Sequence, residues 1–452
     1  MKVLLVCNGF PPSGQWGTEY YAHGLAKGLV SRGCEVGVLY PVRDRTRPRF
    51  DILREERSDM TVFELVNGGD PRKRFGDSYR CEGVEAAFAR LLEEEQPDVV
   101  HFLHVLWGLS VRLPEIARRH GARTILTPTD LGLICHRGQL FDDKSKACEG
   151  PTDAAKCARC VREPSVWDLP PLQRTARKIA VRGVAMLGGL GRVVVTSDLE
   201  RRRECILEAV QYVDHWILPT RALEQKLREF GIPMNSSTQL SYGIAEELYR
   251  QPRIAHPGEG TRFVYMSQYM PHKGLEILLE ASRLLEMRLP ESVQPWSVQL
   301  HGNGTGDRHR RYAPAMLAQL SRRVRDCGPF EPLSAPHVLA ATDCVLVPSR
   351  WMENAPLTIL QARAAGVPVI ASDVAGVAEV LEHGVHGLLF PAGDASALAD
   401  AMSKVIRGEF KSAQRDPLVL HDTHLDEVEA IYGAQPFVMQ PESPARAGVA
   451  AS

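Results

Sequence analysis

The sequence predicts an α/β protein built from two doubly wound domains in succession, and three observations carry that expectation. Short β-rich apolar runs alternate with longer amphipathic segments, the pattern of a parallel sheet wrapped by helices. The 452 residues exceed one ordinary core and favour two domains of roughly 200 residues each. Apolar residues at 44% and charged residues at 24% match globular averages and point away from disorder.

The elements follow in order. "KVLLVCN" is a buried first strand, "TEYYAHGLAKGLVSRG" an amphipathic helix and "EVGVLYP" the next strand, with further strands at "PDVVHFLHV", "RTILTPTD" and "VDHWILPT". A second series starts after Ser241-Tyr242-Gly243 and runs through "RFVYMSQ", "SVQLHGNG", "CVLVPSR", "VPVIASD" and "GLLFPAG". These patterns divide the chain into a first domain over 1–213, with a cysteine-containing insertion over 135–160, and a second domain over 214–410. A helix within 411–433 follows a linker, and 434–452, rich in Pro, Ala and Ser, is expected to be a mobile tail.

Charge and hydropathy narrow the function classes. Lys plus Arg number 54 against 55 for Asp plus Glu, which argues against a chain organised around nucleic acid. No run reaches the ~18 apolar residues of a spanning helix. In "MKVLLVCNGFPP" the apolar run is cut short by Asn8 and Gly9 before a signal segment forms. The expected location is therefore the cytoplasm. Scattered Cys7, Cys34, Cys81, Cys205, Cys327 and Cys344 fit a reducing compartment.

In open parallel sheets ligands bind beyond the carboxyl ends of the strands. After the first strand, "GFPPSGQWGTE" places Gly14 and Gly17 where a tight loop lets backbone approach a ligand; an ordinary strand-to-helix loop reads equally well. "YMPHKGLEILLEA" sets Lys273 and Gly274 at a helix start, suited to a phosphate, with a solvated surface lysine as the alternative. In "PSRWMENAPLTILQARAAGVPVI" Asn354 reads as an N-cap, Pro356 as first-turn residue and Gly366 as the stop. Glu353 then stands at the helix entrance and Gln361 two turns further in. Cys135, Cys148, Cys157 and Cys160 read either as a structural zinc site closed by "CARC" or as a disulfide or free thiols. His101 and His104 read as satisfied structural histidines, His104 bordering the acceptor side. The basic segments "PVRDRTRPRF", "PRKRF" and "LQRTARKIAVRGVAMLGGLGR" include one with cations beside an apolar face, as a surface helix or a peripheral membrane contact has.

Taken together, these motifs and "LSYGI", "LPTRALEQKLREFGI" and "ASDVAGVAEVLEHGVHGLLFPAGD" resemble the retaining family 4 glycosyltransferases over the chain up to about residue 433. The resemblance implies the GT-B architecture, two Rossmann-like domains facing across a cleft. It implies a nucleotide-sugar donor, a glycan or lipid-linked acceptor and no catalytic metal. Lys273 would bind the donor diphosphate, Glu353 a hydroxyl of the transferred sugar, and the backbone around Asn354, Ala355, Pro356 and Leu357 the phosphates or sugar. Gly17 would lie on a loop closing on the donor, with Gly302 at a strand end beside it. Glu379 would back the site, Asp130 would be the polar group of the acceptor side, and the last helix would cross back onto the first domain.

Four positions depart from the family pattern. Gln361 replaces the Glu that accepts from both ribose hydroxyls, Gln268 replaces an Arg partner of the Lys, Thr129 replaces a His before Asp130, and Trp16 occupies a glycine position. Each loss is worth about 1–3 kcal/mol, so the four leave three functions standing. These are an active transferase, a degenerate glycan- or partner-binding protein, and a sugar-nucleotide epimerase.

Overall fold

The computed structural model describes residues 1–14, 16–67, 75–163, 167–186, 193–254, 260–290, 295–304, 309–329, 334–411 and 415–434. The first sheet comprises β1 (Lys2–Val6), β2 (Glu35–Val42), β3 (Ile52–Arg57), β4 (Met60–Val66), β5 (Val99–Phe102), β6 (Arg123–Leu126), β7 (His215–Leu218) and β8 (Ser237–Gln239). Their spatial order is β3-β4-β2-β1-β5-β6-β7-β8, parallel except for the β3–β4 pair. The second sheet comprises β9 (Thr261–Met266), β10 (Trp296–His301), β11 (Val324–Gly328), β12 (Cys344–Val347), β13 (Val369–Asp373) and β14 (Gly387–Pro391). Its order is β11-β10-β9-β12-β13-β14. Central strands such as β1, β5, β9 and β13 are buried along nearly their whole length because helices cover both sheet faces.

The chain divides later than expected. β7 pairs with β6, and β8 pairs with β7, so residues assigned to the second domain from 214 onward still build the first sheet. Local patterning marks a strand but not the sheet whose open edge accepts it. The β3–β4 pair and β11 went unread for a related reason: the burial of β3 is mostly exposed and that of β11 mostly exposed, without the apolar run that marks a central strand.

Expected caps are only partly realised. Asp394, which sequence reading did not single out, accepts from the Ala397 N–H at 2.9 Å and starts the Ala395–Ile406 helix, and Gly366, read as a stop, ends the Leu357–Ala365 helix at φ 67°. The N-cap of that second helix is Pro356, not Asn354, and no side chain caps it. Lys273 closes a 3₁₀ turn over Pro271–Lys273, one step earlier than expected. Gly274 follows at φ 72°, where a Cβ would come within 1.8 Å of the Pro348 carbonyl, so only glycine admits this turn.

The returning helix spans His421–Gly433 and packs on the Gly17–Ser31 helix of the first domain. His424 Nε2 accepts from the Tyr21 hydroxyl at 3.0 Å while its Nδ1–H donates to the Ser241 carbonyl at 2.9 Å. Tyr432 meets His101 at 2.7 Å, and Arg32 pairs with Asp426 and Glu429. One apolar core runs without a break from Leu25 and Leu29 through Leu425 and Val428 to Ile359 and Leu360. The tail from 435 onward lies outside the described residues.

Candidate active site

A cavity of about 740 Å³ is walled by both domains at the carboxyl ends of their strands, where a doubly wound sheet leaves its crevice. The first domain contributes Trp16, Gly17, Thr129 and Asp130, and the second Gln268, Lys273, Glu353, Asn354, Ala355, Pro356, Leu357 and Gln361. Twelve residues singled out from sequence thus share one wall. His104, Gly14, Gly274 and Gly302 do not line it; they shape the loops behind it. Gly14 makes room for Glu19, whose Cγ would meet a Cβ there at 2.6 Å, and Gly302 lets its strand pass the Ser267 carbonyl.

Lys273 and Glu353 come together across 80 residues of sequence: Lys273 Nζ lies 2.7 Å from Glu353 Oε1. The Ser349 hydroxyl donates to the same oxygen at 2.5 Å, and the ammonium also sits 4.8 Å from the centre of the Trp351 ring. Glu353 is 5% exposed, so its charge is held by these partners rather than by water. Gly376, at φ 85°, allows the Glu353 and Asn354 carbonyls to approach within a distance no Cβ would tolerate.

Asn354 does different work from a helix cap. Its Oδ1 accepts from Thr220 Oγ1 at 3.0 Å, and its Nδ2 donates to the Pro128 carbonyl at 3.2 Å and the Tyr242 hydroxyl at 3.1 Å. Glu379 likewise crosses between domains, accepting from the Arg221 and Ala222 N–H groups at 2.7 Å each. Both side chains therefore tie the second domain to the first, using the unpaired N–H groups of a helix start in the second case.

On the first-domain side of the cavity, Asp130 accepts from Trp107 Nε1–H at 3.0 Å and from the Gly132 N–H at 2.7 Å, and faces His104 Nε2 at 3.3 Å. The Leu106 N–H occupies His104 Nδ1 at 3.1 Å, leaving Nε2 to face the carboxylate. Burial raises the Asp130 pKa, but His104 and the two N–H donors outweigh it and hold the carboxyl below its usual range. His104 is thus a support behind Asp130 rather than a wall of the cavity. Thr129 donates its hydroxyl to the Leu103 carbonyl at 3.2 Å. His101 is satisfied by Tyr432 and Thr127.

Sequence reading missed several lining groups. Glu19 is 5% exposed with Oε2 unpartnered, and burial raises its pKa; it is the Glu two residues after Gly17. His272 is buried between Trp351 and Phe141, its pKa lowered well below the usual value by burial and by Lys273. Arg43, Arg137 and Trp107 reach the cavity from distant loops, which no local motif marks. The four cysteines of 135–160 line a separate cavity, all free, and no metal-ligating group of three or more is gathered among the described residues.

Residues 17–203 match the glycosyl transferase 4-like domain, and residues 260–408 match the glycosyl transferases group 1 domain. The chain has the GT-B fold of glycosyltransferases. Its fold is similar to sucrose-phosphate synthase from Thermosynechococcus elongatus (TM-score 0.61, 18% identity, 95% of this chain and 94% of that one). It is similar also to Anabaena HepE in complex with UDP and glucose (TM-score 0.60, 15% identity, 96% of this chain and 100% of that one). In sequence it is 30% identical over 179 residues to the phosphatidyl-myo-inositol mannosyltransferase of Mycobacterium leprae, covering 39% of this chain and 46% of that protein. It is 29% identical over 201 residues to the amylovoran biosynthesis glycosyltransferase AmsK of Erwinia amylovora, covering 43% and 48%. The matched region of this GT-B chain spans about half the length of these curated relatives.

Proposed function

We propose that the protein is a retaining glycosyltransferase that moves a sugar from a nucleotide diphosphate to a hydroxyl of a glycan or lipid-linked glycan, in polysaccharide or glycoconjugate biosynthesis. The carrying observation is the Lys273–Glu353 pair at the mouth of the Leu357–Ala365 helix, inside a cavity walled by both domains. An ammonium beside unpaired backbone N–H groups suits a leaving diphosphate. Glu353, fixed by Lys273 and Ser349, is placed to accept from a sugar hydroxyl. The acceptor hydroxyl attacks the anomeric carbon on the face the diphosphate leaves, and a leaving phosphate oxygen takes its proton, so no strongly basic side chain is needed. Asp130 orients the acceptor. Relatives named for mannosyl transfer and amylovoran synthesis and a neighbour holding UDP and glucose support this class.

The reading places the protein in the cytoplasm, peripheral on a membrane. Among the described residues no helix is long and apolar enough to cross one. The Pro171–Met186 helix exposes Leu172, Ile179 and Met186 at seven-residue spacing, so they form one apolar stripe, as an interfacial helix has.

The test is incubation with UDP-, GDP- and dTDP-sugars and lipid-linked acceptors, with the anomeric configuration of product read by NMR. Transfer with retained configuration is expected; inversion overturns the retaining mechanism. A second reading, a binding protein without transfer, draws on Thr129, whose hydroxyl is committed to Leu103. Thermal stabilisation by a nucleotide sugar with no product from any acceptor would favour it.

A further inference from the structure

Trp107 is a large apolar side chain left 38% exposed, and it stands in the wall of the cleft cavity. A lone exposed aromatic on a convex surface needs no explanation. This one is concave-facing and tightly held. Its Nε1–H donates to Asp130 Oδ2 at 3.0 Å. The far side of the indole lies against Gly138, where a Cβ would come within 2.9 Å of both Trp107 Cζ2 and Asp130 Oδ2.

The backbone that presents the ring is special as well. Trp107 sits at φ 58°, in the left-handed region that is costly for a bulky residue. Gly108 follows at φ 113°, where a Cβ would meet Pro41 at 2.9 Å, and its carbonyl accepts from Asn67 Nδ2 at 2.6 Å. An aromatic ring fixed in this way has little rotamer freedom left to lose when a ligand settles on it, which is what a preorganised contact requires.

The same packing brings cations to either side of the indole. Gly108 rests on Pro41, and Arg43 follows Pro41 by two residues, exposed and lining the cavity. Gly138 rests on the ring itself, and Arg137 immediately before it lines the cavity at 7% exposure. Arg137 donates to the Cys160 carbonyl at 2.5 Å, and its Nε has no hydrogen-bond partner. Neither arginine forms a carboxylate ion pair among the described residues. The carboxylates of this cavity are engaged by other groups: Glu353 by Lys273 and Ser349, Asp130 by Trp107 and the Gly132 N–H. Burial works against the charged form of Glu19. The first-domain half of the cleft therefore holds positive charge without a counter-charge, and guanidinium groups so placed suit a phosphate.

We propose that Trp107 is the stacking platform for the acceptor sugar, and that Arg43 and Arg137 recognise a phosphate carried by that acceptor. This deepens the transfer reading and rests on it: of the acceptors that reading allows, it selects a phosphate-linked sugar over a neutral glycan. A pyranose has a face of C–H groups and a rim of hydroxyls. The C–H face buries against the indole, and Asp130, at the polar edge of the same indole, accepts from a rim hydroxyl. The arginines on the flanking loops then take the phosphate oxygens. Lys273, already paired with Glu353, remains for the donor half.

The experiment is saturation-transfer NMR on the full chain with methyl glycosides of glucose, galactose and mannose, the 1-phosphates of the same sugars, and methyl glucuronide. Each is titrated with UDP or GDP present to fill the donor half. Binding is read without turnover, so a failure of transfer is separable from a failure of this proposal. The sugar phosphates should bind about tenfold tighter than the neutral glycosides, with saturation reaching the sugar C–H protons, and Arg43→Gln should remove most of that preference. Trp107→Phe keeps an aromatic ring and should bind within about threefold of the parent. Trp107→Asn, which tolerates the left-handed backbone, should weaken binding about tenfold and, where transfer is measured, raise the acceptor KM while the donor KM holds. Equal affinity for phosphates and neutral glycosides, or for glucuronide and glucose 1-phosphate, overturns the phosphate assignment. Parent-like binding by Trp107→Asn overturns the platform, and no binding of any probe by the parent overturns both. Should a variant not fold, the ranking of the probes and the saturated sugar protons on the unmodified chain decide.

Discussion

Replacing Lys273 by Met removes a charge that serves two purposes, and the structure allows them to be separated. In the folded chain Glu353 is buried and its Oε1 has two partners, Lys273 Nζ at 2.7 Å and the Ser349 hydroxyl at 2.5 Å. Breaking a buried ion pair by removing one partner costs about 3–5 kcal/mol. The Lys273 side chain is 19% exposed, and Ser349 remains, so the expected loss lies nearer about 2–3 kcal/mol. The double variant Lys273→Met/Glu353→Gln carries no orphaned charge and should recover most of that stability. Donor chemistry should not recover. A cation placed on a leaving diphosphate is worth roughly 10²–10³ in rate, so both variants should lose that much in kcat/KM. Urea unfolding gives the first quantity, and initial rates with the best nucleotide sugar give the second. If the double variant regains stability and transfers sugar within about twofold of the parent, Lys273 is only the structural partner of Glu353, and the donor-binding assignment fails.

Four further outcomes are expected. Asn354→Ala loses three hydrogen bonds between the domains and should cost about 1–3 kcal/mol, raising KM more than it lowers kcat. Gln361→Glu introduces a carboxylate at a position 6% exposed; the unliganded melting temperature should fall while the shift produced by the nucleotide grows, and an unchanged shift would remove Gln361 from the ribose contact. His424 has its pKa lowered to about 4, chiefly by burial. The unfolded chain therefore binds the extra proton first: its contribution is complete above about pH 6.5 and is lost as pH falls toward 4. Hydrogen exchange in 421–433 should accelerate over that window, and His424→Gln should flatten the response. Changing Leu172, Ile179 and Met186 to Ser should abolish co-sedimentation with anionic vesicles if the helix docks on lipid, with soluble-acceptor activity unaffected.

Much of this protein is decided by short-range sequence. The period of the apolar residues fixes which segments are strands or helices, and the Gly274 and Gly366 positions fix where turns and stops fall, because those constraints act within a few residues. The segment around Lys273 and Glu353 could be marked as chemical for the same reason: it lies at strand ends. What the local pattern does not contain is the partner. β7 and β8 join the first sheet because its edge accepts them, Asn354 spans to Pro128, Thr220 and Tyr242, and Glu19, Arg43 and Arg137 reach the cavity from loops far apart in sequence. The four cysteines are a spacing in the chain and become one cavity wall, beside two buried arginines, only on folding. Such pairings join residues distant in sequence, set by how the two sheets and the returning helix pack, and only the tertiary structure determines them.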